Sequence, residues 1–338
     1  MKKRLLVLGA MLLAGLCAFA NGQNEAAGEA KKSYTIKIGH TFAEDTPRHK
    51  GLLVFKDYVE KESAGQIKVD LYANGVLGTE EAMQESMKMG NLEAFVGGPF
   101  DSLTKKLNLI LMPFFFENQD ALMRVAHSDI GAKILADGEK NGLKLLAMGD
   151  GGSREITNNV REIKKPEDMK GLKVRTPSIS SIIECMKCLG ANPVSIPFAD
   201  VYMALKTGVA DAQENPLATI ASGKFYEVQK YMTYIDYQFH PEVFSMNLKF
   251  YNSLPADLQK VVSDGAWKFI DTENQLRRDG DAQYYKEIED GGCKVYRVTP
   301  EEKAAFQKAC EPVYQKFIDD GYFTKEELDE VRRVSQGK

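Results

Sequence analysis

The sequence predicts an α/β protein with two domains and a long helix that bridges them, and three observations point to this fold class. The chain has 338 residues, which suits about two domains of ordinary size. Residues 34–71 read as strand, helix and strand, the order of a β-α-β unit that favours a parallel sheet. A second α/β pattern starts at Arg154, and a helical pattern over 255–285 is long enough to connect two domains.

The first unit begins with a strand at 34–38, where apolar and polar residues alternate. A helix follows at 49–63, with apolar residues on one face, and a second alternating strand lies at 67–71. Glu80 and Glu81 open a further helix, because acidic side chains suit the positive end of a helix dipole.

The rest of the first half is strongly apolar. Residues 92–96 and 143–148 predict strands, and 107–116 predict buried core near a cleft, since this run is too short to span a bilayer. The glycine-rich segment 149–154 predicts a loop in which the backbone turns sharply or approaches a ligand.

The end of the chain carries clear periodic patterns. Strict alternation predicts a strand over 244–250, and the long helix 255–285 follows it. A short strand at 295–298 and two amphipathic helices complete the second domain.

Residues 171–231 hold the most specific polar positions. Arg175 lies near a strand end just before Pro177, and the polar cluster 213–215 is stopped by Pro216. Such an arrangement can direct a guanidinium and an amide to one point in a cleft, and a guanidinium matches a carboxylate with two hydrogen bonds. We therefore predict a carboxylate-binding site here.

The residues alone leave structural alternatives open for these positions. Arg175 and Arg154 are also compatible with surface ion pairs, given 48 acidic residues in the chain. Asn215 is also compatible with capping a helix that starts at Pro216, because Asn before Pro is a favoured helix start.

Composition and missing motifs exclude several function classes. Hydrophobic content of 43%, charged content of 27% and a net charge of -4 are typical of a soluble globular protein, and the absence of a basic block argues against nucleic acid. The chain has no dinucleotide-binding or P-loop glycine motif and no nucleophile-elbow motif. Its four histidines lack metal-ligand spacing, so neither a cofactor nor a metal is expected.

The N-terminus predicts export. Three basic residues precede an apolar run that ends in Ala-Phe-Ala at 18–20, which indicates a signal peptide at 1–20 and a flexible tether at 21–32. A membrane anchor is the alternative, although the run is short. A lipoprotein anchored through Cys17 is a second alternative, although Leu16 is bulky for such a processing site.

Cleavage after Ala20 would leave four of the five cysteines. Cys185 and Cys188 form a C-x-x-C pair, but apolar residues around them fall at helical spacing. We therefore expect both thiols on or beside the buried face of a helix rather than in a zinc or redox site. A disulfide remains open, because pairing cannot be assigned from the sequence.

The segment 171–231 closely resembles the solute-binding proteins of TRAP transporters, the tripartite ATP-independent periplasmic transporters of the DctP family. The tracts that carry the resemblance are GLKVR at 171–175 with Pro177, LGANP at 189–193, PFADVY at 197–202, ALKTG at 204–208, QENPL at 213–217 and KFYEVQKY at 224–231. The similarity extends from about residue 34 to residue 338.

The resemblance implies a two-domain periplasmic binding protein (Venus-flytrap) fold that binds without catalysis. We expect domain I to comprise 33–151 and 241–280, and domain II to comprise 152–240 and 281–338. The protein is expected to act as a monomer and to deliver its ligand to the small and large membrane subunits of a TRAP permease.

The resemblance implies six ligand-binding residues. Arg175 would bind the ligand carboxylate. Arg154 and Asn215 would lie beside Arg175, and Phe198 would pack on the ligand. Thr41 and Glu80 would meet ligand hydroxyls.

The expected ligand is a sugar acid such as a hexuronate or an aldonate. Gly97, Gly98 and Pro99 stand where sialic-acid-binding relatives carry an acidic residue, which argues against sialic acid. The alternatives are a C4-dicarboxylate or another organic acid, the receptor of an ATP-driven importer, a sensor, or an exported enzyme acting on sugar acids.

Overall fold

The computed structural model describes residues 32–338, whose strands form two sheets that share one long strand. The expected signal peptide, Cys17 and nearly all of the expected tether lie outside the described residues. The strands are β1 Tyr34–Gly39, β2 Ile67–Tyr72, β3 Ala94–Gly97, β4 Leu143–Asn158, β5 Lys173–Thr176, β6 Asn192–Ser195, β7 Ala212–Pro216, β8 Tyr231–Tyr234, β9 Phe239–Asn247 and β10 Lys294–Arg297.

The helices lie mostly where apolar periodicity predicts them. They are α1 Pro47–Glu62, α2 Glu80–Met89, α3 Gln119–Ala126, α4 Asp129–Ala136, α5 Ser180–Cys188, α6 Val201–Lys206, α7 Leu217–Ser222, α8 Leu248–Ser253, α9 Ala256–Asp290, α10 Pro300–Asp319 and α11 Lys325–Ser335. Short 3-10 helices include Lys105–Ile110 and Phe198–Asp200.

The strand order is β2-β1-β3-β9-β4-β7-β5-β6, with β8 paired to β4 and β10 paired to β8. In the first sheet, β1 runs parallel to β2 and β3, while β9 is antiparallel to β3 and β4. The parallel β1–β2 pair confirms the predicted β-α-β unit. In the second sheet, β5 runs parallel to β6 and β7.

Strand β4 connects the two sheets, and its length differs from the prediction. The glycine-rich segment 149–154 is part of one strand of 16 residues rather than a loop. The pairing with β9 becomes irregular between Asp150 and Ser153, where Gly152 has a φ of 101°. Pairing with β7 then begins at Arg154, so the glycines let the strand leave one sheet and enter the other.

The predicted strand over 244–250 is also placed differently, because β9 ends at Asn247 and α8 follows it. The Asn247 side chain accepts a hydrogen bond from the Phe250 backbone N–H at 2.8 Å. This N-cap starts a helix in a segment whose alternation alone favours a strand.

Two C-terminal elements connect parts of the core. Helix α9 has 35 residues and packs against α1, β4 and α7. Helix α10 places Phe306 and Cys310 in a cluster with core residues of the second sheet, and Val313 and Phe317 in a cluster around residues 107–112. Among the described residues, no helix combines the length and hydropathy needed to cross a membrane.

Candidate functional site

A cavity of about 40 Å³ lies where the two sheets meet, and it has room for only a few water molecules. Its walls come from the ends of β5 and β7, the irregular part of β4, the start of β9, and the starts of α1 and α2. Of the six predicted ligand-binding residues, the cavity is lined by Glu80, Arg154, Arg175, Phe198 and Asn215. The sixth, Thr41, does not line it but donates a hydrogen bond to Glu80 at 3.2 Å.

Arg175 is a buried cation that has no carboxylate partner among the described residues. It is 3% exposed, and its Nε donates to the backbone oxygen of Ile196 at 2.9 Å. Within residues 32–338 no carboxylate oxygen lies within the 4.0 Å of an ion pair with it. Burial lowers the pKa of Arg175 to about 10, so the side chain is still charged at neutral pH. An uncompensated buried charge is costly, and a bound anion would offset that cost.

Arg154 is equally buried, but its charge is paired inside the protein. Its Nη2 donates to Glu214 Oε1 at 2.9 Å and to the Glu214 backbone oxygen at 2.7 Å, and its Nε bonds the second carboxylate oxygen. Burial alone lowers the pKa of Arg154, but the Glu214 carboxylate outweighs burial and raises it. Arg154 therefore contributes a fixed, already neutralised guanidinium to the cavity wall.

Asn215 is held by its neighbours in strand β7. Its Nδ2 donates to Gln213 Oε1 at 2.6 Å, and its Oδ1 accepts from Arg154 Nη2 at 3.3 Å. The helix-capping alternative is wrong, because α7 begins at Leu217 with Pro216 as its N-cap and no side-chain cap. The side chain instead turns towards Arg154 at the cavity.

Phe198 forms an aromatic contact between segments of the two sheets. Its ring centroid lies 4.9 Å from that of Phe42, which follows β1, and the planes meet edge to face at 68°. Phe225 lies behind it at 6.1 Å. The Arg48 guanidinium lies 3.8 Å from the Phe42 ring centroid, so a cation–π contact joins Arg48 to this aromatic pair.

A second group of charges forms the wall provided by the first sheet and its helices. Arg48 Nη2 donates to Glu242 Oε2 at 2.6 Å, and Arg48 Nη1 lies 3.6 Å from Glu80 Oε1. Burial raises the pKa of Glu80, and it raises the pKa of Glu242 to about 7. Burial, with three arginines nearby, lowers the pKa of His240 well below 6.5, so this ring is neutral.

Several polar atoms in this wall lack a hydrogen-bond partner among the described residues. They are Arg48 Nε and Nη1, His240 Nδ1 and Glu242 Oε1. Buried polar groups are normally paired, so these atoms mark positions for water or for the hydroxyl groups of a ligand. The described residues contain no group of His, Cys, Asp or Glu arranged to hold a metal ion.

The cavity also contains residues that the sequence analysis did not assign to the site. They are Phe42, Arg48, His240, Glu242 and Arg277, among others. A usable signal exists for two of them, because His240 and Glu242 are polar residues in strand β9, every residue of which is buried. Arg277 carries no such signal, since charged residues are common along α9.

Comparison with known proteins gives a consistent result. Residues 38–320 match the family DctP, described as bacterial extracellular solute-binding protein, family 7. The 2,3-diketo-L-gulonate-binding periplasmic protein YiaO of Escherichia coli K12 is 27% identical to 96% of this chain, over 98% of its own length.

Two solved structures represent the fold and two ligand classes. The sugar acid binding protein DctPAm from Advenella mimigardefordensis, in complex with galactonate, has a TM-score of 0.85 and 30% identity, covering 90% of this chain and 99% of its own. A TRAP periplasmic solute-binding protein from Sulfurospirillum deleyianum with bound succinate has a TM-score of 0.83 and 30% identity, with coverage of 90% and 99%. These structures confirm the expected fold class, and the match over 38–320 makes this chain a member of the DctP family of TRAP solute-binding proteins.

Proposed function

We propose that this chain is an extracytoplasmic receptor that binds a sugar acid, of the aldonate or hexuronate type, between its two sheets. The observation that carries this proposal is Arg175, a buried guanidinium that lines the cavity and has no carboxylate partner within residues 32–338. A ligand carboxylate would supply the missing charge with two hydrogen bonds. Arg154 and Asn215 would donate from the same side, and Phe198 would cover the ligand.

The opposite wall favours a polyhydroxylated acid over a C4-dicarboxylate. A second ligand carboxylate would need a second free cation, but Arg48 is already paired with Glu242 at 2.6 Å. Hydroxyl groups, in contrast, can donate to Glu80 and Glu242 and accept from Arg48. The Thr41 hydroxyl would act indirectly, by fixing the orientation of Glu80 at 3.2 Å.

The same cavity supports a clamp mechanism. A volume of about 40 Å³ is far below the several hundred Å³ of ordinary ligand sites, so the sheets must separate to admit a sugar acid. We assign 33–151 and 241–280 to domain I, and 152–240 and 281–338 to domain II. Strand β4 leaves one sheet and enters the other between Asp150 and Ser153, which supports the first boundary between the domains, at 151–152. Helix α9 then spans the boundary at 280–281, and α10 of domain II packs on the core of domain I through Val313 and Phe317. Closure excludes water from the ion pair, which strengthens it.

The receptor would act without chemistry on its ligand. It would reach the periplasm through its signal peptide, free or anchored through Cys17, and deliver the ligand as a monomer to the small and large membrane subunits of a TRAP permease. The receptor would need no cofactor or metal and would bind no nucleic acid.

Calorimetry on ligand-stripped protein tests the proposal. We expect galactonate or 2,3-diketo-L-gulonate to bind and to raise the thermal midpoint, because a ligand of the folded state stabilises it. Succinate should bind more weakly than either. Tighter binding of succinate would instead favour a dicarboxylate receptor, and turnover of any of these acids would contradict a purely binding role.

A further inference from the structure

Two buried cysteines from distant parts of the chain lie next to each other. Cys185 on α5 and Cys310 on α10 are 125 residues apart in sequence, and their Sγ atoms are 3.6 Å apart. Both side chains are 0% exposed. They belong to one apolar cluster with Ile156, Val174 and Phe306.

The other two cysteines of the described residues are placed differently. Cys188 is exposed at the end of α5, and Cys293 is buried in a separate cluster around Phe225 and Ile288. The expectation that both thiols of the C-x-x-C pair lie on or beside the buried face therefore holds for Cys185 but not for Cys188. Within residues 32–338 no metal-holding group includes a cysteine, so coordination does not explain the close pair.

We propose that Cys185 and Cys310 form a disulfide in the exported protein, and that Cys188 and Cys293 remain thiols. The proposal depends on export, because disulfides persist in the periplasm and not in the reducing cytoplasm. The sulfurs are already in contact at 3.6 Å, and a disulfide bond of about 2.05 Å requires them to approach by roughly a further 1.5 Å.

The reaction is an ordinary thiol–disulfide exchange with an oxidised dithiol protein as the oxidant class. One cysteine thiolate attacks the donor disulfide and forms a mixed disulfide, and the second thiolate displaces the donor. The two thiols lose two protons and two electrons, and the donor leaves as a dithiol. Since both sulfurs are inaccessible in the folded protein, the exchange takes place while the chain folds after export.

This cross-link would fix the segment that carries the ligand-binding arginine. Helix α5 begins five residues after Arg175, which is the second-last residue of β5. Helix α10 packs in both the cluster of Cys310 and the cluster around residues 107–112. A bond between α5 and α10 would therefore stabilise the second sheet near Arg175 and restrict the unfolded chain over a long loop.

Peptide mapping of protein isolated from the periplasm tests the proposal without any substitution. The protein is denatured with N-ethylmaleimide present, which blocks free thiols and prevents exchange, and is then digested with trypsin without reduction. Cleavage after Lys187 separates Cys185 from Cys188. We expect peptide 176–187 linked to peptide 309–316, and peptides 188–206 and 287–294 modified by the maleimide.

Two other maps would overturn the proposal. Maleimide on both 176–187 and 309–316 would mean that the pair remains reduced, and a link between 176–187 and 188–206 would mean pairing within the C-x-x-C. Thermal unfolding gives an independent measurement. Dithiothreitol should lower the thermal midpoint of the wild type and of Cys293→Ser by several degrees. It should leave the midpoint of Cys310→Ser unchanged, and an equal decrease in that variant would also contradict the disulfide.

Discussion

Phe42 and Phe198 touch edge to face across the boundary between the two sheets, with ring centroids 4.9 Å apart. Phe42 follows β1 of the first sheet, and Phe198 follows β6 of the second. Both rings line the cavity, so the contact closes one side of it. Opening of the proposed clamp would therefore break this contact.

Phe198→Ala should weaken ligand binding and the closed state together. An aromatic pair contributes about 0.5–1.5 kcal/mol beyond the burial of its area, so we expect a loss of affinity of up to about 10-fold from the pair alone. Calorimetry measures the affinity, and small-angle scattering measures the radius of gyration with saturating ligand. Met203→Ala, which removes a side chain that is 54% exposed on the neighbouring helix α6, is the control. Equal affinities and equal radii in the two variants would contradict this role for Phe198.

Arg175→Ala should reduce affinity by at least about 30-fold, because losing one partner of a buried charge pair typically costs about 2–5 kcal/mol. Arg175→Lys should also bind poorly, since an ammonium group cannot form the two-bond fork. Arg161→Ala, at an exposed arginine, is the control and should bind like the wild type. An unchanged calorimetric affinity in Arg175→Ala would remove Arg175 from the site.

The two cavity arginines should differ in their effect on stability. Arg154→Ala leaves Glu214 buried and unpaired, so it should lower the free energy of unfolding by about 3–5 kcal/mol. Arg175→Ala removes a cation that has no carboxylate partner in the part of the chain that the structure describes, and it should cost much less. Urea unfolding of the ligand-free variants measures both values, and similar losses would show that Arg175 has a structural partner after all.

The sequence predicted several strands and helices, and it grouped Arg154, Arg175 and Asn215, which the fold brings to one cavity. Alternation identified β1 and β2, and the strand end placed Arg175 next to a cleft. The opposite wall was harder to predict because its charges are separated in sequence and meet only after folding. Arg48 and Glu242 are 194 residues apart, and nothing in their local sequences indicates that they form an ion pair.

Two local errors have a common physical origin. The glycines of 149–154 favour a loop by their own conformational freedom, but pairing with β9 and β7 holds them in one strand. Alternation over 244–250 favours a strand, but the Asn247 cap starts a helix there. In both cases a hydrogen-bonding partner decided the structure, and the local preference of the residues did not.

Glu80→Gln should change selectivity more than overall stability. The substitution keeps the shape of the side chain but removes a charged acceptor, which would otherwise accept hydrogen bonds from ligand hydroxyls. We expect affinity for galactonate to decrease about 10-fold, which corresponds to about 1.4 kcal/mol, while affinity for succinate is unchanged. Glu85→Gln, at an exposed position further along α2, is the control. A parallel decrease for both ligands would place Glu80 outside the hydroxyl-binding wall.

Glu242→Gln should remove a specific pH dependence of stability. Burial raises the pKa of Glu242 from 4.5 to about 7, with Glu273 and Glu80 adding to the increase and Arg48 and Arg277 opposing it. Between these pH values the folded protein holds a proton that the unfolded chain has released. The stabilisation from this proton is therefore complete below about pH 4.5 and is lost as the pH rises to about 7. Because Gln does not titrate, the free energy of unfolding of the variant relative to the wild type should increase by about 1–3 kcal/mol across this range.

Urea unfolding at several pH values between 4.5 and 7.5 measures this difference. Other buried carboxyls titrate in both proteins, so subtracting one curve from the other leaves the titration of Glu242 together with its electrostatic effect on Glu273 and Glu80. Glu44→Gln, at an exposed position in the loop before α1, should show no such trend. The ion pair with Arg48 forms only when Glu242 is ionised, and its effect is already part of the pKa of Glu242, so it does not change the direction of the slope. A difference that is flat with pH, or one that decreases as the pH rises, would mean that Glu242 is ionised throughout the range and is stabilised by Arg48 more strongly than burial opposes it.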